Sequence, residues 1–174
     1  MPDEQNLNLA ILRFDPERHD RSAFVCSVAE SLQEYFVPGG NFDQDVIISK
    51  TVGAWVLVDD EDKVWGYYTL GIFTLDKKHV PQAEGEILNY KNVGFVILSR
   101  IATCDELRGK GYGQALLFDA VKTAKDLAEP LGAKGVYLDA RNDRVMELYS
   151  QFGFESFPNS PLKMLFMFKN FDEN

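Results

Sequence analysis

The stretch GFVILSRIATCDELRGKGYG, residues 94–113, decides the fold of this chain. Its first part, Gly94–Ala102, is a nearly unbroken apolar run, which is typical of a strand buried on both faces in the middle of a sheet. Its last part, Arg108–Gly113, places three alternate glycines directly before a segment with helical periodicity. We therefore predict a central strand, a glycine-rich loop and a helix in direct succession.

Hydrophobic periodicity predicts further elements on both sides of this stretch. The segment after the loop has one apolar face, made of Leu116, Leu117, Ala120, Val121, Ala124, Leu127 and Ala128. The other predicted elements are, in chain order, a strand at Leu7–Arg13, one or two helices over Asp20–Phe36, a hairpin of strands at Gly53–Val58 and Lys63–Phe73, a loop at Asp76–Lys91, a strand at Gly135–Ala140, a helix at Asn142–Phe152 and strands at Phe154–Phe157 and Leu162–Lys169. This order predicts an α/β layered domain with a mixed sheet, and we expect a single domain over residues 1–174.

Charge is distributed unevenly along the 174 residues, whose net charge is −9. Residues 1–62 hold 13 Asp and Glu against 4 Lys and Arg, and the remainder is balanced. An acidic surface repels nucleic-acid phosphates at long range. A nucleic-acid substrate would therefore need a local basic patch within residues 63–174.

Several classes of protein are disfavoured by composition. We expect Cys26 and Cys104 to be thiols rather than a disulfide, and the two histidines show no metal-ligand spacing with cysteine. No apolar run reaches the roughly 18 residues of a membrane span. The polar, acidic first six residues lack the pattern of a signal peptide. We therefore expect a cytoplasmic protein that has no metal centre.

The glycine-rich loop has the composition of a phosphate site. Glycines permit positive φ and a close approach of the backbone, helix-start N–H groups attract anions, and Arg108 and Lys110 add positive charge. The P-loop spacing is absent, and the dinucleotide fingerprint fails because Gln114 occupies the position of its third glycine. The loop predicts a bound phosphate or pyrophosphate. The alternative is a strand-to-helix turn whose glycines serve only tight packing.

Two signatures carry a resemblance to a known family. The first is Arg108-x-x-Gly111-x-Gly113 after a central strand, and the second is Asn142 followed by Tyr149 and then Gly153–Phe154. The chain thereby resembles the GNAT acetyltransferase superfamily, in which the loop amides hold the pyrophosphate of CoA. The resemblance implies a mixed, mostly antiparallel central sheet flanked by helices, with acetyl-CoA as co-substrate. The implied cofactor-binding residues are Ser99, Arg100, Ile101, Ala102, Arg108, Gly109, Lys110, Gly111, Tyr112, Gly113 and Asn142.

A narrower likeness concerns the toxins of toxin–antitoxin modules. The stretches His19–Cys26, Trp65–Leu70, Ile97–Ala102 and Phe157–Met164 are similar to that branch, whose toxins acetylate the amino group of aminoacyl-tRNA. The likeness implies a tRNA acceptor, an antitoxin partner and the homodimer that is common in the family. Such toxins usually carry basic surface, and this chain is acidic. The acceptor therefore stays open among aminoacyl-tRNA, a protein amine and a small amine, and the alternative class is a non-catalytic acyl-CoA-binding module.

The resemblance also implies direct transfer, with Tyr149 as the catalytic residue that protonates the leaving thiolate. Asn142 and Tyr149 are seven residues apart, so they share a helix face about 10 Å apart along the axis. The competing interpretations are a core aromatic for Tyr149 and a plain N-cap for Asn142. We expect the central strand to splay from its neighbour at Ser99–Ala102, which leaves its amides for the pantetheine and the carbonyl oxygen. Arg100 either points into the site or pairs with a surface carboxylate.

No general base is obvious in the sequence. Glu84 and Glu86, in the loop before the central strand, are candidates, and solvated loop charges are the alternative. Deprotonating an α-amine, with pKa near 8, costs only about 1 kcal/mol at neutral pH, whereas a lysine costs about 4.6 kcal/mol. An enzyme without a clear base is therefore better suited to an amine of low pKa.

Overall fold

A computed structural model describes residues 7–173 of the chain. The strands are β1 (Ala10–Arg13), β2 (Gly53–Val58), β3 (Val64–Asp76), β4 (Asn92–Thr103), β5 (Gly135–Asp139), β6 (Glu155–Phe157) and β7 (Ser160–Met167). The α-helices are α1 (Glu30–Phe36), α2 (Tyr112–Ala128) and α3 (Asp143–Phe152). A π-helical segment covers Asp43–Ile48, and short 3₁₀ turns cover Lys77–His79, Asp105–Leu107, Glu129–Leu131 and Phe168–Glu173.

Seven strands are hydrogen-bonded in the order β1-β2-β3-β4-β5-β7-β6. The pairs β1–β2, β5–β7 and β6–β7 are antiparallel, whereas β4 and β5 are parallel. The apolar strand β4 has three strands on each side of it, as its lack of alternation predicts. The predicted mixed, mostly antiparallel sheet with helices is confirmed.

The chain divides into two compact units. The first unit comprises Met1–Thr69 and Arg100–Ala120, and the second comprises Leu70–Ser99 and Val121–Asn174. Strands β3 and β4 each contribute residues to both units. The extent of the domain, residues 1–174, stays a prediction.

The core of the first unit is built from aromatic rings. Phe36 and Tyr67 are fully buried and stack with 3.9 Å between ring centroids, and Phe24 and Phe42 meet Phe36 edge-on. Arg21 is buried in the same place. Its guanidinium lies over the rings of Phe14, Phe36 and Phe42, donates to the Phe36 carbonyl and pairs with Asp43 at 2.6 Å.

The core of the second unit lies on one face of β4, β5 and β7. Phe95 and Tyr137 are buried there with Leu165, and Phe73 stacks on Tyr137 with 4.3 Å between centroids. The opposite face of β7 is covered by α3, because Phe166 contacts the rings of Phe152 and Phe154. Both faces of this part of the sheet are therefore packed.

Several local predictions are confirmed. Strand β2 has the predicted bounds, and the turn after it is fixed by Asp59, whose carboxylate accepts the N–H groups of Glu61 and Lys63 and the indole N–H of Trp65. Helix α3 begins after Asn142 and ends at Gly153, as its capping residues predict. Cys26 and Cys104 are buried and form no disulfide.

Helix prediction fails over residues 20–29, since only Glu30–Phe36 of the predicted region is α-helical. The segment before α1 begins with a turn at Asp20, whose carboxylate accepts both the N–H and the hydroxyl of Ser22. The side chain of Gln33 accepts the N–H of Cys26 and so satisfies that donor outside a helix. Side-chain bonds of this kind compete with the helical pattern.

The bounds of β3, β5 and β7 also differ from the prediction by one to three residues, and further differences are as follows. Strand β1 begins at Ala10 rather than at Leu7. The π-helical segment Asp43–Ile48 is absent from the sequence prediction. Leu127, placed on the apolar face of α2, is 56% exposed.

Residues 7–173 contain neither a helix suited to crossing a membrane nor a cluster suited to holding a metal ion. None of the helices there is long and apolar enough to cross a bilayer. Within the same residues no cluster of His, Cys, Asp and Glu has the make-up of a metal site.

Candidate active site

The glycine-rich loop leads from β4 into α2 within the first unit. Gly109 and Gly111 have φ of 74° and 87°, which side-chain-bearing residues rarely adopt. A Cβ added at Gly109, Gly111 or Gly113 would meet no heavy atom within 4 Å. Tight packing therefore does not explain these glycines. Two are needed for the turn, and the third leaves open space in front of the backbone.

The start of α2 offers unpaired donors beside this space. The first intrahelical bond after the loop is from the Ala115 N–H to the Gly111 carbonyl, at 3.2 Å. The N–H groups of Gly113 and Gln114 precede it and find no acceptor among residues 7–173, as at any helix start that lacks a cap. This end of the helix can receive an anion.

Arg108 is held by an acidic partner. Its guanidinium pairs with the carboxylate of Asp105, three residues earlier. Asp105 also accepts the N–H of Ser27 at 2.9 Å, and this bond, together with the nearby Arg108 charge, lowers the pKa of the Asp105 carboxyl. Part of the predicted positive charge of the loop is thus neutralised, and the exposed Lys110 contributes the rest.

Arg100 lies on an aromatic ring rather than beside a carboxylate. Its guanidinium carbon is 3.7 Å from the centroid of the Tyr35 ring, and no carboxylate in the described part of the chain forms an ion pair with it. The Tyr35 hydroxyl donates to Asp45 at 3.0 Å, and burial raises the pKa of Tyr35 to about 12. Of the two alternatives for Arg100, pairing with a surface carboxylate is therefore not observed among residues 7–173.

Strands β4 and β5 pair over a short distance only. Their register contains Val96 opposite Val136 and Ile97 opposite Tyr137. Ser99 on β4 and Asp139 on β5 lie beyond the last pair. The strands therefore part where the sequence predicts a splay.

The two residues of the second signature lie on α3. Asn142 is its N-cap, with the side-chain oxygen accepting the Val145 N–H at 2.9 Å. The ring of Tyr149 is partly buried against Phe154, and this burial raises the pKa of Tyr149 to about 12, opposed by the charge of Arg141. No described residue accepts a hydrogen bond from, or donates one to, the Tyr149 hydroxyl. The N-cap interpretation of Asn142 is confirmed, and its role toward a cofactor stays a prediction.

Of the two loop carboxylates, Glu86 is already engaged. It forms an ion pair with Lys134 and accepts the Ala83 N–H at 2.9 Å, and the Lys134 bond lowers the pKa of the Glu86 carboxyl. A carboxylate stabilised in its charged form is a poor proton acceptor. Glu84 is exposed in the same loop.

One pair of polar side chains at the end of β5 is absent from the sequence predictions. The Tyr137 hydroxyl donates to Asp139 Oδ1 at 3.0 Å. The signal was available, because residues two apart on a strand share a face. The hydrogen bond itself requires the structure.

Comparisons with known proteins agree with this geometry. Residues 50–156 match the profile of the family described as Acetyltransferase (GNAT) domain. The "Probable toxin TacT" of Sinorhizobium fredii is 29% identical over 161 residues, 86% of each chain. The "tRNA-acetylating toxin" of Mycobacterium tuberculosis is 31% identical over 78 residues, which are 45% of this chain and 47% of that protein.

The fold has solved counterparts. The structure titled "AtaT complexed with acetyl-methionyl-tRNAfMet" is similar with a TM-score of 0.80 at 23% identity, covering 95% of this chain and 98% of that one. At this level of identity the likeness concerns the fold.

Proposed function

We propose that this chain, which belongs to the acetyltransferase (GNAT) domain family, acetylates the α-amino group of an aminoacyl-tRNA. It is an acetyl-CoA-dependent N-acetyltransferase, and the nature of the amine is the proposed part. The names of its relatives support this acceptor. The observation that carries the proposal is the open space beside Gly111 and Gly113, at a helix start where the N–H groups of Gly113 and Gln114 have no acceptor among residues 7–173.

The residues around this space fit the co-substrate. We assign the pyrophosphate to the N–H groups of Gly111–Gly113, with Arg108 and Lys110 as counter-charges and with Gly109 and Tyr112 completing the loop. Acetyl-CoA supplies the acetyl group as an activated thioester. The backbone of Ser99, Arg100, Ile101 and Ala102 is assigned to the pantetheine arm, and Asn142 is assigned to the same co-substrate.

Tyr149 is the proposed catalytic residue. With a pKa of about 12, its hydroxyl stays protonated throughout the working pH range. A group this weakly acidic serves a leaving thiolate mainly as a hydrogen-bond donor that stabilises developing negative charge. The proton that completes the thiol balances the one that the attacking amine must lose.

An α-amine acceptor is consistent with the lack of a free general base in the loop before β4. Glu86 is committed to Lys134, so it is not available as a base. An amine with pKa near 8 needs little assistance, because its neutral form costs only about 1 kcal/mol at pH 7. Aminoacyl-tRNA presents such an amine, whereas a lysine side chain does not.

Partners follow from the same proposal. The toxin names of the relatives support an antitoxin partner, and a cytoplasmic location is where aminoacyl-tRNA would be met. A homodimer is part of the proposal on the resemblance alone. Arg144, Lys163 and Lys169 are exposed cations of the second unit, and we assign them to the phosphates of the tRNA.

The test uses labelled acetyl-CoA with charged tRNA, the same tRNA after deacylation, a protein extract and a set of small amines. We expect label on charged tRNA, and no label on deacylated tRNA, which lacks the amine. Preferential labelling of protein or of small amines would replace the proposed acceptor.

Tyr149→Phe separates an enzyme from a non-catalytic acyl-CoA-binding module. We expect turnover to fall about 100-fold or more, because one preorganised donor to developing charge contributes that much. Acetyl-CoA affinity, measured by calorimetry, should stay within about twofold. Tyr90→Phe, at an exposed ring, is the matched control. Equal turnover of Tyr149→Phe and wild type would exclude the assigned role.

A further inference from the structure

We propose that Asp139 binds the cationic amine of the acceptor, and that the Tyr137 hydroxyl holds the Asp139 carboxylate in its binding orientation. This inference rests on the proposed function and names the side chain that receives the amine at that site. Asp139 would be in contact with substrate, and Tyr137 would act through it as a positioning residue.

The register of β5 places the pair on one face of the sheet. Tyr137 lies opposite Leu165 and Asp139 opposite Lys163, whereas the intervening Leu138 lies opposite Met164. Residues that alternate along a strand point to opposite faces. Phe166, on the Leu138 face, packs against α3, so Tyr137 and Asp139 lie on the face that α3 does not cover.

Packing fixes the Tyr137 ring. It is 4% exposed, stacks on Phe73 at an interplanar angle of 15° and meets the edge of Phe157. Its hydroxyl reaches Asp139 Oδ1 at 3.0 Å. Burial raises the pKa of Tyr137 to about 12, so the hydroxyl remains a donor at every working pH. Because Oδ1 of Asp139 is hydrogen-bonded to a ring that cannot move, the other carboxylate oxygen points in a defined direction.

The position of Asp139 relates it to the proposed site. Pairing between β4 and β5 ends at Ile97 and Tyr137, and Asp139 follows on β5 as its last residue. Ser99, the first residue assigned to the co-substrate, follows on β4. The exposed carboxylate and Ser99 therefore both lie beyond the point where the pairing of the two strands ends.

The chemistry of this pair selects a charged donor. A carboxylate forms charge-assisted hydrogen bonds to an ammonium group, and these are about twice as strong as neutral ones. Lys163 is the cross-strand neighbour, yet no ion pair joins it to Asp139 in the described part of the chain. The carboxylate can therefore accept a substrate amine, and a hydroxyl in place of that amine would bind poorly.

Steady-state kinetics of Asp139→Asn and Tyr137→Phe test the proposal. For Asp139→Asn we expect the KM of the acceptor to rise about tenfold or more, with the KM of acetyl-CoA unchanged. Tyr137→Phe keeps the ring stack and loses only the hydroxyl, so a smaller rise of about threefold is expected in the same constant. Asp126→Asn and Tyr90→Phe, at exposed positions away from the pair, are controls that should match wild type.

A binding measurement keeps this inference distinct from the choice of acceptor. Calorimetry in the presence of CoA compares methionine methyl ester with methyl 2-hydroxy-4-(methylthio)butanoate, which carries a hydroxyl in place of the amine. We expect wild type to bind only the amine ester, and Asp139→Asn to bind neither. Absence of tRNA acetylation alongside this contrast would reject the proposed acceptor alone.

Three outcomes would overturn the role of Asp139. The first is that wild type binds the two esters equally or binds neither of them. The second is that Asp139→Asn retains the acceptor KM or the amine-ester affinity of wild type. The third is that Lys163→Ala loses amine-ester affinity as Asp139→Asn does, because the ester carries no phosphate and the carboxylate would then act by pairing across the strands.

Discussion

His19 is a buried histidine in the first unit with an incomplete set of hydrogen bonds. It is 6% exposed, its Nδ1 accepts the Asp15 N–H at 3.0 Å, and its Nε2 has no partner among the described residues. Burial lowers its pKa from the usual 6.5. Below pH 6.5 the His19 imidazole is therefore protonated in the unfolded chain while it stays neutral in the folded chain, until the pH reaches the lower pKa of the folded state. The contribution of neutral His19 to the free energy of unfolding is therefore fully present above pH 6.5, and it is lost as the pH falls through the lower pKa of the folded state.

The test compares the urea concentration at the unfolding midpoint at pH 8 and at pH 5, for wild type and for His19→Asn. His19→Asn keeps an oxygen for the Asp15 N–H and removes the titration, so its midpoint should fall less than that of wild type between these pH values. His79→Asn, at an exposed position, is the control and should show the wild-type difference. A wild-type difference in His19→Asn as well would mean that other groups cause the acid loss.

At the scale of elements, the start of α2 permits a mutation with opposite effects on stability and binding. Gly113 is in the first turn, has no positive φ and would accept a Cβ without contact. Gly113→Asp should hold or raise the melting temperature, because an acidic side chain at a helix N-terminus contributes about 0.3–1 kcal/mol. Acetyl-CoA affinity should fall about tenfold or more, since the new charge meets a diphosphate. Gly111, with φ of 87°, is a poorer position because any side chain there strains the backbone.

Calorimetry with acetyl-CoA and a thermal melt measure both effects. Gly113→Asn, which has the same shape without the charge, is the matched control and should bind more tightly than Gly113→Asp. Unchanged affinity in Gly113→Asp would place the diphosphate elsewhere.

Elements that are set by local signals could be predicted from the sequence, whereas elements that are set by distant contacts could not. Strand β2 and helix α3 follow from alternation and from the caps Asn142 and Gly153, which are local signals. Residues 20–29 and the segment Asp43–Ile48 depend instead on distant partners, because Arg21 reaches Asp43 and Tyr35 reaches Asp45. The phosphate loop could be predicted from its glycines, whereas the Tyr137–Asp139 bond depends on a ring orientation that Phe73 and Phe157 impose.

Charge is a property of the whole molecule. The net charge of −9 opposes tRNA binding, so only a few cations of the second unit can touch phosphates. With about three contacts, one from each of Arg144, Lys163 and Lys169, the logarithm of tRNA affinity should fall with the logarithm of salt at a slope of about −2 to −3. The double variant Arg144→Ala, Lys169→Ala should make that slope shallower by about 1 to 2 units.

Filter binding of charged tRNA between low and moderate salt measures the slope. Acetyl-CoA affinity of the double variant is the control and should equal that of wild type. A wild-type slope of about −6 or steeper would require more phosphate contacts than these cations provide.

The burial of Arg21 among three rings has a consequence for inheritance. Lysine cannot replace it, because an ammonium is more strongly hydrated and lacks the planar fork that serves Phe36 and Asp43 together. Loss of either Arg21 or Asp43 leaves the other charge without its ion-pair partner at the edge of the aromatic core. Across descendants of this gene, positions 21 and 43 should therefore mutate as a pair, and surviving lineages that lack the arginine should carry a neutral side chain at both.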